Sequence, residues 1–450
     1  MDTKQRALAV MEMLPALDWV KTPIHVKRLS KDFHWFSPVL SAQLAGKVAD
    51  IIVKPTSLEE IKQLVTHCVA HSVPLTIRGG GTGNYGQAVP LQGGIVVDLT
   101  RFSSLLDVTE GVVTVEPGIK IADLEAQIDQ HGLEMRCMPS TYRMATVGGL
   151  FAGGFGGIGS INYGPVAAHG TVLSVKVLTI EAEPQLIEYQ GADLKHFHHT
   201  YGTNGILVEM RMATAPKRSW DEYMLAFPSL NQAFDAAYEL AYGSGMEKRN
   251  VALFNYSSAQ YLPHGETIKP DEFLVIAIAG NSSRQPLEEL IADKGGRIAW
   301  RQFYSEFTAS DETLMESCWN HATLHALKFD KTFTYLQAAY DSSRVVEQVE
   351  AIKHAVDDEV TLHLEFILSA DKSPFITGLP LVRYQSDERL AELIALHRDN
   401  GIGINNPHVY TLEDGKHSGS LSDEILLSKK RNDPNMLLNP GKIRTLSQVA

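Results

Sequence analysis

The chain contains few cysteines and has no cluster of positive charge. Only Cys68, Cys137 and Cys318 occur among 450 residues, and they are odd in number and widely spaced. They form neither a disulfide framework nor a metal motif, so we expect buried thiols in a reducing, cytoplasmic compartment. The 40 basic and 53 acidic residues give a formal net charge of −13, with no block of lysine or arginine. Nucleic acid is therefore excluded as an expected partner.

The sequence predicts neither a secretory leader nor a membrane span. Its N-terminus mixes Asp2, Glu12 and Pro15 into an apolar run. Residues 144–175 contain no Asp, Glu, Lys or Arg, but eight glycines fall within Gly148–Gly164. Such a segment makes a poor helix, and only helices and closed barrels satisfy their backbone in lipid. We expect no integral membrane segment.

The length predicts two or three domains. We expect residues 1–217 to form a first α+β domain, with its core at about 45–217. Residues 218–427 are expected to form a second domain of longer helices and well-marked strands. Residues 428–450 are rich in turns. In the first domain we expect strands at 51–53, 75–77, 95–99, 112–115, 172–180 and 206–212, and helices at 58–69 and 121–131. In the second we expect strands at 273–279 and 360–368 and a helix from Ser386 to Gly401. Ser57 and Glu60 predict a capping box before the first of these helices.

The first glycine segment, residues 78–87, reads RGGGTGNYGQ. Consecutive backbone N–H groups in such a turn form a concave nest for an anion such as pyrophosphate. The segment also matches GxGxxG, the signature of a nicotinamide-binding fold, with Asp98 as the ribose-binding acid. That interpretation requires a helix after the glycines, and only eight residues, including Pro90, separate Gly86 from Ile95. We therefore expect an anion cradle without a helix behind it.

The second glycine segment, residues 139–164, begins with PST, continues through ATVGG and ends at Tyr163-Gly164. A flat, polar-edged ring system can lie against bare backbone of this kind and receive hydrogen bonds from its N–H groups. Two such segments in one domain indicate a cofactor that has both an anionic part and a flat ring.

These motifs, followed by VEPG, TYGTNGILVEM and NPGKI, resemble the vanillyl-alcohol-oxidase/PCMH flavoprotein family, in particular its glycolate-oxidase and D-lactate-dehydrogenase-like branch of FAD-linked oxidases. The resemblance implies an α+β, PCMH-type fold with two FAD-binding subdomains and an α+β cap domain that selects substrate. It also implies that residues 428–450 return to the FAD domain. The cofactor contacts that it implies are Arg78, Gly79, Gly80, Gly81, Thr82, Gly83, Asn84, Gln87, Pro139, Ser140, Thr146, Gly148, Gly149, Gly159, Ser160, Tyr163, Gly205, Ile206 and Asn439.

Two departures from the family pattern concern the bond to FAD. Covalently linked members carry a histidine in the first glycine segment, where this chain has Thr82, and doubly linked members add a cysteine where Met144 stands. We therefore predict non-covalent FAD.

The catalytic candidates lie in the second domain, where the resemblance is thin. The branch's metal-binding histidine motifs are missing, so no metal is expected, although His363 and Glu365 share a strand face. The base that removes the substrate proton is expected to be a His, a Tyr or a carboxylate, and the group that binds a substrate anion is expected to be an Arg or a Lys. His408, in a loop after Pro407, is the favoured base, with His363 and His321 as alternatives. Lys328 and Arg383 are candidates for binding a substrate anion, and Tyr384 for a proton relay. Each has an ordinary structural alternative as a packed or solvated side chain.

The function expected is hydride transfer from a CH–OH group to flavin N5, with a 2-hydroxy acid or related polar alcohol as the small-molecule substrate. Two alternatives stay open: a non-catalytic flavin subunit that relays electrons within a larger complex, and an NAD(P)H-dependent flavin reductase of the same fold. The electron acceptor, which could be a partner subunit, is not specified by these patterns.

Overall fold

The computed structural model describes residues 1–307, 312–416 and 418–447. The strands of its N-terminal part are β1 (Trp19–Val20), β2 (Ile51–Val53), β3 (Leu75–Arg78), β4 (Ile95–Asp98), β5 (Leu105–Thr109), β6 (Val112–Val115), β7 (Leu133–Met135), β8 (Val172–Leu178), β9 (Leu186–Gln190) and β10 (Ile206–Pro216). Its helices are α1 (Thr3–Met13), α2 (Pro23–Leu29), α3 (Pro38–Gln43), α4 (Leu58–Ala70), α5 (Ile121–Ile128), α6 (Val147–Gly153) and α7 (Ser160–Tyr163).

These strands form two sheets. The first has the order β1-β2-β4-β3, with β2 and β3 parallel to β4. Residues 79–94 join β3 to its parallel neighbour β4 without a helix, so the prediction that no helix follows the first glycine segment is confirmed. The second sheet has the antiparallel order β5-β6-β10-β8-β9, and β7 pairs with the end of β10.

Helix α4 covers the first sheet with the apolar face that its spacing predicts: Ile61, Leu64, Val65 and Cys68 are buried. The capping-box prediction is half wrong. The Ser57 hydroxyl accepts from the Glu60 N–H at 3.3 Å, but the Glu60 carboxylate accepts from the Thr56 N–H at 2.6 Å rather than from Ser57. The extended backbone at Ser57 brings the preceding N–H group within reach instead.

The second glycine segment is more helical than the sequence indicates, because α6 begins inside it. The Thr146 hydroxyl caps this helix by accepting from the Gly149 N–H at 3.2 Å. Val147, Leu150 and Phe151 are buried along it. The cap and this burial offset the entropic cost of about 0.5–1 kcal/mol that each helical glycine carries. The segment that the sequence predicts to be a poor helix thus contains one short helix of seven residues, Val147–Gly153.

The second part has the strands β11 (Trp220–Phe227), β12 (Lys248–Asn255), β13 (Phe273–Gly280), β14 (Arg297–Gln302), β15 (Phe333–Tyr335), β16 (Gln337–Tyr340), β17 (His363–Leu368), β18 (Pro374–Gly378), β19 (Leu381–Arg383) and β20 (Gly403–Asn405). Its helices are α8 (Leu230–Tyr242), α9 (Tyr256–Ala259), α10 (Arg284–Asp293), α11 (Asn320–Phe329), α12 (Val345–Val356) and α13 (Asp387–Asp399); α14 (Asp423–Asn432) and α15 (Arg444–Ser447) follow. An eight-stranded antiparallel sheet has the order β14-β11-β13-β12-β17-β18-β16-β20, and β15 pairs with β19.

Strand β17 begins at His363 rather than at Val360, which forms an isolated bridge to Val382. Both faces of β17 are buried, although its polar and apolar residues alternate, because His363 and Glu365 are as buried as Leu364 and Phe366. One face of β17 packs on helices α8, α12 and α13, and the other is covered by the N-terminal part of the chain and by α11.

The C-terminal segment returns to the first sheet. The Asn439 N–H donates to the Leu75 carbonyl at 2.6 Å, and Leu438 forms a parallel bridge with Leu75. The domain limits at 217 and 427 stay a proposal. Within residues 1–307, 312–416 and 418–447, none of the helices is long and apolar enough to span a bilayer.

Candidate functional site

A cavity of about 1160 Å³ lies between the two glycine segments and the second part of the chain. Ligand pockets for drug-sized molecules occupy roughly 300–1,000 Å³, so this cavity is large enough for a dinucleotide and a small substrate. The predicted cofactor residues that line it are Gly79, Gly80, Gly81, Thr82, Gly83, Asn84, Gln87, Pro139, Ser140, Thr146, Gly148, Gly149 and Gly205.

The first glycine segment touches the second one backbone to backbone. A Cβ atom on Gly80 would lie 2.0 Å from the Met144 carbonyl oxygen, and one on Gly79 would lie 2.1 Å from the Thr146 hydroxyl oxygen. Gly81 has a φ of +68°, a conformation that side chains disfavour. These glycines are thus required for the close approach of the two segments, which leaves bare backbone on the cavity wall.

Several groups brace the first glycine segment from outside the cavity. Arg78 donates to the Lys31 carbonyl at 2.5 Å, and the Phe33 N–H donates to the Gly83 carbonyl at 2.7 Å. The Asn439 amide donates to the carbonyls of Gln87 at 3.0 Å and Tyr201 at 2.6 Å. Arg78 and Asn439 do not line the cavity, so the structure places them as supports of the cradle and not among its wall residues.

Four other predicted contacts also lie behind the wall of the second glycine segment or beside it. The Ser160 hydroxyl accepts from the Gly157 N–H at 3.0 Å, and a Cβ atom on Gly159 would lie 2.2 Å from the Arg136 carbonyl. The Tyr163 ring lies under the Arg136 guanidinium, and Ile206 is buried in β10. None of these four lines the cavity.

The residues that line the cavity have the chemistry that FAD requires. The backbone cradle is the kind that binds pyrophosphate, and no glutamate and a single aspartate, Asp32, line the cavity among the described residues. Asn320 Oδ1 is buried with no hydrogen-bond partner in the described parts of the chain. Buried polar atoms are rarely left unpaired, so a polar ligand is expected to meet it. FAD supplies an anionic diphosphate and a flat ring with a polar edge.

The structure does not bring the predicted catalytic side chains to the cavity. His408 is buried, with Nδ1 at 2.8 Å from the Ser37 hydroxyl and Nε2 at 2.9 Å from the Tyr335 carbonyl. His363 is buried against Glu365, with Nε2 at 2.9 Å from its carboxylate, and stacks on Phe254. Both imidazoles are thus held by protein groups, and neither lines the cavity.

The surface candidates lie further away. Arg383 is exposed and pairs with Asp330 at 2.9 Å, and Tyr384 donates to the Asp387 carboxylate at 2.5 Å. Lys328 is exposed on α11. His321, at the start of the same helix, lies behind the wall against the backbone of Ser140, and burial lowers its pKa to about 4.

The titratable side chains that do line the cavity were missed by sequence reasoning. They include Tyr85, His198, His199, Tyr201 and Lys416. His198 and His199 directly precede TYGTNGILVEM, one of the motifs that carry the family resemblance. This position in the sequence was the signal that could have identified them as cavity residues. Lys416 gives no local signal, because only the fold brings the 411–416 loop to the cavity.

These groups form a mutually coupled cluster. The rings of Tyr85, His199 and Tyr201 lie 5.3–6.1 Å apart, and Gln337 from β16 donates to the Tyr85 hydroxyl. Burial, followed by repulsion from neighbouring cationic groups including Lys416, lowers the pKa of His198 to about 3 and that of His199 to about 4. Burial likewise lowers the pKa of Lys416.

Lys416 has an unusual charge environment. In the described parts of the chain its Nζ atom forms no hydrogen bond or ion pair, and the Glu413 carboxylate offsets only part of the effect of burial on its pKa. By contrast, Lys195, the other lysine on the wall, pairs with Glu424 at 2.6 Å. Lys416 is therefore the lysine available to an anion in the cavity.

Residues 49–184, which contain both sides of the glycine cradle, match the family described as the FAD binding domain. Over 202 residues the chain is 29% identical to D-lactate dehydrogenase of Archaeoglobus fulgidus, which covers 42% of this chain and 44% of that protein. It is 29% identical over 195 residues to glycolate oxidase subunit GlcD of Bacillus subtilis, covering 42% and 41%. D-lactate dehydrogenase of Anaerostipes hadrus is 28% identical over 445 residues, which cover 88% of this chain and 89% of that one.

Residues 49–184 thus carry an FAD binding domain, and the similarity to D-lactate dehydrogenases and to glycolate oxidase subunit GlcD supports the FAD-linked oxidase branch of the PCMH-type flavoproteins. The FAD cofactor and the α+β fold of the chain are thereby confirmed as predicted. The matched region spans less than half the length of the first two relatives, so the match by itself does not give this chain their activities. Among solved structures, alkyldihydroxyacetonephosphate synthase superimposes with a TM-score of 0.67 at 16% identity, covering 88% of this chain and 76% of that protein, which shows a shared fold.

Proposed function

We propose that this protein is an FAD-dependent dehydrogenase or oxidase that oxidises the CH–OH group of a 2-hydroxy acid. The observation that carries the proposal is the Lys416 cation, which has no ion-pair partner in the described parts of the chain and shares the wall of the cavity with His198 and His199. A 2-hydroxy acid presents a carboxylate and a hydroxyl on adjacent carbons, and this cluster offers a cation and imidazole nitrogens within one cavity. The relatives named D-lactate dehydrogenase and glycolate oxidase subunit support the same substrate class.

When bound, FAD accepts the hydride equivalent that leaves the substrate carbon. The chain's own groups then have to hold the carboxylate and receive the hydroxyl proton. In this proposal Lys416 binds the carboxylate. His198 accepts the proton, a role supported by its position on the cavity wall and by its Nε2 atom, which has no hydrogen-bond partner among the described residues.

Substrate charge and base strength are coupled in this arrangement. Lys416 lowers the pKa of both histidines by repulsion, and a bound carboxylate offsets that charge. Binding of an anionic substrate therefore removes part of the lowering of the His198 pKa, whose main cause is burial. An uncharged alcohol leaves the repulsion in place.

The test is anaerobic reduction of the flavin, followed by bleaching of its visible absorption. Glycolate and both enantiomers of lactate are compared with propane-1,2-diol, which has the skeleton of lactate without its carboxylate. We expect a hydroxy acid to bleach the flavin and the diol to fail. Bleaching by the diol as rapidly as by lactate would refute the anionic substrate. If NAD(P)H or a reduced partner protein bleached the flavin and no member of the panel did so, the reductase or electron-relay interpretation would replace this one.

A further inference from the structure

Trp319 has an unusual backbone conformation on the cavity wall. Its φ and ψ angles are 53° and −142°, in a region that non-glycine residues rarely occupy. Trp319 is buried and lines the cavity, and the next residue, Asn320, lines it too and begins helix α11. A residue adopts such a conformation only when its surroundings hold it there.

The group that holds Trp319 is the carboxylate of Glu365. Its Oε1 atom accepts from the Trp319 N–H at 2.7 Å, and its Oε2 atom accepts from the Asn250 amide at 3.1 Å. Asn250 Oδ1 in turn accepts from the Trp319 indole N–H at 3.4 Å. Glu365 is fully buried and also contacts His363, so the backbone and the ring of Trp319 are fixed by one network inside the protein.

The network determines where two cavity groups lie. The Trp319 ring reaches the second glycine segment, because a Cβ atom on Gly156 would lie 3.3 Å from the ring atom Cη2. Asn320 Oδ1 is buried and lacks a partner among the described residues. A buried polar atom without a partner is costly, and the cost is removed when a ligand supplies the hydrogen bond. Neither residue belongs to the FAD-binding motifs, so their contribution to the cofactor site is an addition from the second part of the chain.

We propose that the Asn320 side chain forms a hydrogen bond with the polar edge of bound FAD, and that Glu365 is the positioning residue that keeps Trp319 and Asn320 in place. The flavin ring carries both N–H and carbonyl groups on that edge, so an amide side chain can pair with it in either orientation. Glu365 does not touch the ligand and acts through Trp319. This inference concerns the cofactor and holds whichever substrate the protein oxidises.

The test measures release of FAD from the holoprotein, followed on dilution by the rise in fluorescence of free flavin, with no substrate present. Asn320→Leu keeps the side-chain volume and removes the hydrogen bond, and we expect the dissociation constant for FAD to rise about tenfold. Glu365→Gln keeps an oxygen for the Trp319 N–H and for His363, which both contact Oε1, but turns its amide N–H group toward the Asn250 donor that Oε2 accepts. We expect about a threefold rise in the dissociation constant and a shift in tryptophan emission.

Glu134→Gln is the matched control. Glu134 is also a buried carboxylate that accepts from an indole, that of Trp220 at 2.8 Å, but Trp220 does not line the large cavity. A general loss of stability should appear in both glutamate variants, whereas faster loss of FAD should appear in Glu365→Gln alone.

FAD affinity equal to wild type in Asn320→Leu would overturn the contact, even if Glu365→Gln failed to fold. Equal FAD loss in Glu365→Gln and Glu134→Gln would overturn the positioning role. Because substrate is absent, either result is separate from the outcome of the hydroxy-acid panel.

Discussion

The imidazole Nδ1 of His408 lies 2.8 Å from the hydroxyl oxygen of Ser37, although 370 residues separate them along the chain. The other ring nitrogen lies 2.9 Å from the Tyr335 carbonyl. His408 thus connects the N-terminal segment, β15 and the C-terminal loop. A side chain whose two nitrogens are both engaged in this way supports the structure and is poorly placed to take a proton from substrate.

His408→Gln should reduce stability more than catalysis. We expect the free energy of unfolding to fall by about 1–3 kcal/mol, because buried groups at Ser37 and Tyr335 lose a well-placed partner. The rate of flavin reduction per folded molecule should stay within about twofold of wild type. Urea denaturation and anaerobic stopped-flow absorption measure the two quantities. A large fall in the reduction rate at full stability would restore His408 as the base.

His408 also predicts a pH dependence of stability. Burial lowers its pKa to about 4 in the folded protein, from an ordinary value of 6.5. The unfolded chain therefore binds a proton between these values that the folded protein does not, and stability decreases as the pH falls from 6.5 toward 4. One such group contributes a slope of about 1.4 kcal/mol per pH unit. Unfolding measured from pH 7 to 4.5 should show a shallower loss in His408→Gln than in wild type; parallel curves would contradict the assignment.

Lys416→Met tests the substrate anchor, with Arg383→Met as the paired control. Lys416 lines the cavity, whereas Arg383 is exposed and paired with Asp330. Loss of a charge-assisted bond of about 1.5–3 kcal/mol should raise the KM for a hydroxy acid roughly 10- to 150-fold in Lys416→Met, with little change in Arg383→Met.

FAD release decides whether Lys416 binds substrate or cofactor. A higher KM with unchanged FAD release supports the substrate role. Loss of FAD with an unchanged KM in the reloaded protein would assign Lys416 to the diphosphate instead. Unchanged values for both would remove Lys416 from the site.

Gly80→Ala should disrupt the cradle through protein–protein overlap. Its Cβ atom would lie 2.0 Å from the Met144 carbonyl oxygen, so the two glycine segments must separate. We expect FAD binding to weaken at least about tenfold and stability to fall by about 1–3 kcal/mol. Gly403→Ala is the control, because its Cβ atom would meet nothing closer than 3.6 Å. Normal FAD binding by Gly80→Ala would show that the close approach of the segments is not needed.

FAD should leave the protein on denaturation. Thr82 and Met144 stand where the family that the sequence resembles carries its flavin-attachment residues, and neither side chain is a suitable nucleophile. Acid precipitation should therefore leave a colourless pellet and a yellow supernatant. A yellow pellet that survives washing in denaturant would contradict the prediction.

The sequence by itself determined the parts of this protein that local chemistry controls. Glycines must appear where two backbones approach within contact distance, so both cradle segments were visible from residues 79–83 and 148–149. The eight residues between Gly86 and Ile95 excluded a helix, and the chain indeed crosses from β3 to the parallel β4 without one. These local patterns indicated a cofactor with an anionic part and a flat ring, and the family resemblance that they carry implied FAD and the PCMH-type fold.

Only the tertiary structure decided which side chains line the cavity. Histidine is a residue type that often acts in catalysis, but in the folded protein the imidazoles of His408 and His363 form hydrogen bonds with other protein groups. Lys416 and Asn320 carry no local pattern and reach the cavity because a C-terminal loop and the start of α11 pack against the glycine segments. A cavity wall assembled from distant segments has no spacing that a sequence can show, since the contacts that create it exist only after the chain has folded.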